Sequence, residues 1–382
     1  MLGIPLVLAL GLSGARVGWL FLATVLGLVI VFWRAHREGP QARRLAVSLG
    51  VAAIGFALAQ QLAVLAPFAP SGGAVSTPTT RLFAEMGGPS ERFQLWAESL
   101  WAFLQAPAFG WGWGGFPTMH FDYQATHDAL AARMAYHQAH NLVLQLLVET
   151  GAVGAAVVVG GILQWLWGLR RSAFSLERWW LLAVLGVLAV HSLSEFPLWY
   201  AYFLGVAAVL LGIDSHDRGW IVPAQRVRLL VAALSVLGGA YLALQLDAYR
   251  DFERIFTDGQ AAHDGGAEQG RRVARALADP MLRPYGEVAV AFSTQVEPAR
   301  IQDRLSLLRR ATRFAPYPPI VYKRALLTAM AGESDAALNE FKRAIRAYPQ
   351  ELPAIEQQLT ELAAHDPGKF GPLLDAATQA RR

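Results

Sequence analysis

Residues 152–169 run without a single charged side chain. In hydrocarbon the backbone has no water to bond, so a run of this kind is confined to a helix that satisfies its own amides and carbonyls. Apolar runs at residues 17–33, 45–66, 179–193, 198–213 and 229–246 repeat the constraint along the chain. The fuller ones approach the ~20 residues that cross a bilayer. Residues 1–12 supply about half a crossing before Ser13-Gly14-Ala15-Arg16 interrupts them, so they are expected to be the second half of a helix. With 54% hydrophobic and 16% charged residues among 382, and a mean hydropathy of +0.32, the chain reads as a polytopic helical membrane protein.

Charge fixes the orientation. Arg34, Arg37, Arg43 and Arg44 follow the first full crossing, Arg170, Arg171 and Arg178 lie between later ones, and Arg218, Arg226 and Arg228 precede the last. Short loops rich in arginine stay in the cytoplasm, and one orientation satisfies all three. It divides the chain into N-terminal transmembrane helices (1–66), a large outer loop (67–140), C-terminal transmembrane helices (141–246) and an outer domain (247–382) with the charge density of a soluble protein. Within the loop, residues 91–105 alternate at near-helical spacing and are expected to lie along the membrane interface. Residues 109–116, Phe-Gly-Trp-Gly-Trp-Gly-Gly-Phe, read as a turn-rich anchor at headgroup depth. The formal charge of +4 and pI near 9.5 record this orientation and not an affinity for nucleic acid. With no cysteine, disulfides and thiolate metal sites are excluded. No positive n-region precedes the first apolar run, so no cleavable signal is visible.

The outer domain reads as helical, which makes the whole chain all-α. Residues 309–316 and 342–349 align thirty-three positions apart, and Gly332, Ala336, Ala337, Phe341 and Ala344 fall at helix-turn-helix spacing between them. This resembles a tetratricopeptide repeat, whose period is ~34 residues.

Ionisable residues beside lipid are costly and mark function. His140, Asn141 and Glu149 stand at the mouth of the uncharged run. A histidine titrates near neutrality, which suits His140 to take a proton. Glu149, nine positions on, is about 180° around an ideal helix and is expected to pair with another helix or orient a loop. Gly151 and Gly154 allow close backbone approach. His191 and Glu195, four apart, are expected to share a helix face and bond one another, or else to serve a ligand site. The aromatics at 111, 113, 199, 200 and 202 suit an interfacial belt, and aromatic faces also stack on sugars. His120, His127, His137 and His140 fall within twenty-one residues, but no His-Glu-x-x-His spacing and no Asp-x-Asp motif accompanies them. Neither a metal nor another cofactor is expected.

His140-Asn141 followed by Gly151 and Gly154 resembles the signature of the bacterial O-antigen ligase superfamily. Leu12-Ser-Gly-Ala-Arg16 is similar to its Ser-x-x-Arg segment, Arg92 to Gly114 to its Arg-x-x-x-Trp…Pro…Gly-x-Gly loop, and His191 to Phe203 to the branch that glycosylates pilins. The resemblance implies transfer of a glycan from an undecaprenyl-pyrophosphate carrier to a hydroxyl, at the periplasmic face of the bacterial inner membrane. His140 would be the base, Arg16 and Arg92 would hold the pyrophosphate, and Asn141, Glu149, His191 and Glu195 would support them. Arginine can stabilise a departing pyrophosphate without a metal. The acceptor would be a pilin-like protein, with lipopolysaccharide core or a growing glycan as the alternatives that a ligase or polymerase would use. Family members begin with further helices, whereas Met1 falls inside one, so a truncated and inactive chain is one expectation. A membrane-anchored repeat scaffold without activity is the rival from another class, and it predicts that His140→Ala changes no glycan.

Overall fold

The computed structural model describes residues 10–11, 17–36, 39–65, 91–127, 134–170, 174–214, 223–257 and 267–381, and every regular element among them is helical. Two compact units make up the chain. The first takes Met1–Gly110 and Gln138–Gly219, the second Trp111–His137 and Trp220–Arg382. The stretch read as one outer loop is therefore shared between the units, its middle belonging with the C-terminal residues.

The first unit contains α1 (Val17–Ala35), α2 (Pro40–Leu65), α3 (Glu91–Gln105), α5 (Leu142–Leu169), α6 (Leu176–Ser192) and α7 (Ala201–Asp214); α4 (Phe116–Thr126) falls in the second. Two pairings organise it: α1 packs on α6, and α3 packs on α5. Val29, Phe32, Ala42, Trp179 and Ala183 close the first contact, and Gly186 comes so near α1 that a Cβ there would meet the Thr24 methyl at 3.0 Å. Small residues of this kind let helices approach where lipid gives no hydrophobic drive. Outward, Ile54, Leu58 and Val157 stay exposed, as lipid-facing residues do.

α5 starts where Asn141 caps it, the side-chain oxygen accepting from Val143 N at 3.1 Å and Leu144 N at 3.2 Å. It is broken at Gly151, whose φ of 64° and ψ of −169° are not helical. The second half begins afresh there, and its first amides need partners. Ala152 N donates to Pro107 O at 2.8 Å and Val153 N to Ala108 O at 3.2 Å. The chain just after α3 thus plugs the break. A Cβ on Gly151 would collide with Ala108 O, and one on Gly110 with Val148 O.

Four helices among the described residues are long and apolar enough to cross a membrane: Val17–Ala35, Pro40–Gln61, Leu142–Leu169 and Ala224–Arg254. The crossings read at 179–193 and 198–213 appear as α6 of 17 residues and α7 of 14 residues, both shorter than a full span. α6 ends at Ser192, with Leu193 as its C-cap, and a 3₁₀ turn at Pro197–Trp199 separates it from α7.

The second unit begins with α8 (Ala224–Thr257), one uninterrupted helix of 34 residues. The compositional boundary at Asp247 lies inside it, because a change from apolar to charged side chains alters the surroundings of a helix without ending it. Asp251, buried near its end, meets Arg275 at 2.5 Å. There follow α9 (Ala267–Ala278), α10 (Arg283–Ser293), α11 (Ile301–Phe314), α12 (Pro318–Met330), α13 (Ser334–Ala347), α14 (Leu352–His365) and α15 (Pro367–Ala380), each packing on its neighbours. Tyr322, Phe341 and Tyr348 are fully buried, worth ~1.5–3 kcal/mol apiece. Their hydroxyls are satisfied, Tyr322 donating to Tyr348 O and Tyr348 to Pro316 O, each at 3.0 Å.

α4 joins this core although it lies more than a hundred residues earlier in the chain. Phe121 stacks on Tyr348 with centroids 5.8 Å apart, Asp122 pairs with Arg343, and Thr118 Oγ1 donates to Arg313 O at 3.0 Å.

Candidate active site

His140 has φ +50°, a left-handed conformation that costs a non-glycine residue about 1–3 kcal/mol. Neighbouring bonds hold it there. Behind it Ala139 N donates to Gln145 Oε1 at 2.7 Å, and ahead of it Asn141 Nδ2 donates to Leu193 O, past the end of α6, at 3.1 Å. Asn141 therefore caps α5 and ties its start to the turn that carries Glu195.

That turn aims the Glu195 carboxylate at two donors. Oε2 accepts from His140 Nδ1 at 2.8 Å, and Oε1 accepts from Arg92 Nη2 on α3. Three segments distant in sequence meet on one carboxylate. An ionised carboxylate only accepts, so the proton of the neutral ring is on Nδ1 and its lone pair on Nε2. Burial alone pushes Glu195 up; the His140 hydrogen bond and the charges of Arg92, His140 and His191 outweigh it and hold the carboxyl below the ordinary glutamate range. Phe196 stands edge-on to the His140 ring at 5.1 Å, and with Trp199 and Gln145 it lines a shallow cleft around these groups.

His191 and Glu195 do not form the side-chain pair that their spacing suggests. The helix stops between them, so Glu195 turns to His140 and Arg92 while the His191 ring packs edge-on to Phe21 at 5.4 Å and to Phe203 at 6.3 Å. Glu149 is buried and accepts from Gln145 Nε2 at 3.0 Å. Through Gln145 it bears on the backbone just before His140. Gln145 itself carries no motif; its only sequence signal is the four-residue spacing to Glu149. Arg16 lies outside the described residues.

The other three histidines of the 120–140 group are in the second unit. His120 is buried and hydrogen-bonded to Met134 O at 2.8 Å, His127 stacks on Tyr123, and His137 lies 5.3 Å from the Tyr317 ring. Among the described residues no three His, Cys, Asp or Glu side chains are grouped to hold a metal ion.

A pairing of histidine, arginine and carboxylate at the end of apolar helices is chemically suited to deprotonating a hydroxyl beside an anion. Residues 1–159 match the model of the O-Antigen ligase family, and residues 179–362 match "Virulence factor membrane-bound polymerase, C-terminal". These matches support a likeness to the O-antigen ligase superfamily. The chain's similarity extends to the General O-oligosaccharyltransferase of Acinetobacter baylyi (strain ATCC 33305 / BD413 / ADP1), at 30% identity over 261 residues. That alignment covers 65% of this chain and 42% of the relative, so the chain spans less than half of the curated protein it matches. No solved structure matches. The family matches and the long apolar helices identify the chain as a membrane protein.

Proposed function

We propose that the chain transfers a glycan from an undecaprenyl-pyrophosphate carrier to a serine or threonine hydroxyl of a periplasmic, pilin-like protein. His140 Nε2 takes the acceptor proton as the hydroxyl oxygen attacks the anomeric carbon. The bond from that carbon to the pyrophosphate oxygen breaks, and the leaving group departs with its negative charge against Arg92 and Arg16. A base within reach of the hydroxyl and a cation beside the leaving group each lower the barrier without a metal. The observation that carries this reading is the Glu195 carboxylate shared between His140 and Arg92.

The site is at the periplasmic face of the bacterial inner membrane. Arg92 and His140 come from the one outer loop and Glu195 from the turn between two later apolar runs, two segments that arginine placement puts separately on the outer side, and their convergence supports that assignment. The packing of α4 on α11 and α13 supports it again: the loop between two spans and the C-terminal helices share one core and hence one side of the membrane. The tetratricopeptide-like C-terminal helices, with α4, present or select the protein acceptor.

A second reading is glycan polymerisation, favoured by the polymerase family model over residues 179–362. The two differ only in the acceptor hydroxyl. Intact mass of a pilin co-expressed with a lipid-linked glycan pathway and this chain, with and without His140→Ala, tests the proposal. A glycan-sized gain that is lost in the variant is expected; the same gain in both would remove His140 from the chemistry. Sugar appearing on lipid-linked glycan and not on pilin would favour the polymerase.

A further inference from the structure

Arg92 is offered as a pyrophosphate-binding residue, yet its guanidinium is held by Glu195. The strength of that hold decides what happens when a donor arrives. The side chains are 41% and 32% exposed, and an ion pair this open to water is worth about 0–1 kcal/mol. A diphosphate offers more charge and bidentate oxygens to the same fork of donors. It outcompetes the carboxylate.

The geometry points to Glu195 as an internal stand-in for the donor's pyrophosphate, occupying Arg92 in the empty site and passing wholly to His140 when the anion displaces it. The exchange needs no new chemistry, only a change of partner. Glu195 Oε2 stays on Nδ1 of His140, while Oε1 loses its cation. The carboxylate that then backs the imidazole is no longer neutralised by Arg92, so it better stabilises the imidazolium formed when Nε2 takes a proton. Base strength is thereby tied to donor occupancy, and an acceptor hydroxyl is activated only when there is a glycan to receive. The other charged groups around the pair stay where they are: His191 acts on Glu195 through space, and Glu149 reaches the loop by way of Gln145. Glu195 is thus a positioning residue with two successive partners, an inference that rests on the transferase reading for its purpose but not for its test.

The test is binding of inorganic pyrophosphate to the full chain in lipid nanodiscs, by calorimetry at pH 7.5 without divalent cations. Removing the competing carboxylate with Glu195→Gln is expected to tighten binding about fivefold, the factor that the loss of a ~1 kcal/mol competitor gives. Arg92→Gln is expected to weaken it at least tenfold. Equal or weaker binding in Glu195→Gln overturns the exchange, as does unchanged binding in Arg92→Gln. In the unmodified chain labelled with ¹⁵N-histidine, pyrophosphate is expected to move the His140 Nδ1 resonance; an unmoved resonance at saturation overturns the exchange without any variant. Where a glycan donor is turned over, Glu195→Gln lowers both KM for the donor and kcat, a split that a merely structural defect does not produce. Absence of glycan transfer by the unmodified chain would count against the transferase reading alone and leave the pyrophosphate result standing.

Discussion

Substituting Gly151 by alanine tests whether the break in α5 holds the site together. The residue sits at φ 64° and ψ −169°, a region essentially closed to side chains, and its Cβ would press into the Ala108 carbonyl. Either the break closes or the segment after α3 withdraws. Both remove the bonds from Ala152 N to Pro107 O and from Val153 N to Ala108 O. At about 1 kcal/mol each, their loss raises local opening roughly thirtyfold, since 1.36 kcal/mol is a factor of ten. The consequence reaches Arg92, because α3 leads directly into that segment. Hydrogen exchange of residues 106–110 and 150–154 in nanodiscs reads the opening, and glycan transfer reads the site. Gly160→Ala is the control: it lies in the same helix with nothing within 4 Å of a Cβ and should leave both readouts unchanged. If Gly151→Ala behaves as Gly160→Ala does, the break does not hold the segment and the reasoning fails.

Two further outcomes are expected. Glu195 has its folded-state pKa depressed below the ordinary 4.5, so its contribution to stability is present above that value and is lost as pH falls through the depressed one; thermal unfolding between pH 3 and 6 should show an acid limb that Glu195→Gln reduces. Phe121→Ala removes a buried ring from the second unit at a cost of about 3–5 kcal/mol, and should make α4 sensitive to limited proteolysis while the long apolar helices stay protected.

The four long apolar helices were legible in the sequence because an uncharged run such as 152–169 has one physical solution. His140-Asn141 was legible as a motif, and the structure adds what the two residues do locally: a left-handed residue followed by a cap. The Glu195 partnership was not legible. Four-residue spacing argues for His191 only if the helix continues, and it stops at Leu193, with Pro197 just beyond the carboxylate. Arg92 could be picked out by resemblance, but nothing local tells an arginine which of several outer carboxylates it will meet. The place of α4 was the least legible of all. Phe121 and Asp122 find partners at Tyr348 and Arg343, and contacts between such distant segments leave no period to read.

That last contact sets a timetable for biosynthesis. Asp122 and Arg343 are 221 residues apart, and at about 5–20 residues per second the ribosome needs roughly 10–45 s to deliver the second after the first. Through that interval Phe121 is without Tyr348, waiting while the later helices are made. The C-terminal helices cannot finish as an independent cassette, and the loop cannot finish before them. Slow synthesis or insertion of α5 to α8 would lengthen the exposure, so chaperones and proteases have their opening at this stage.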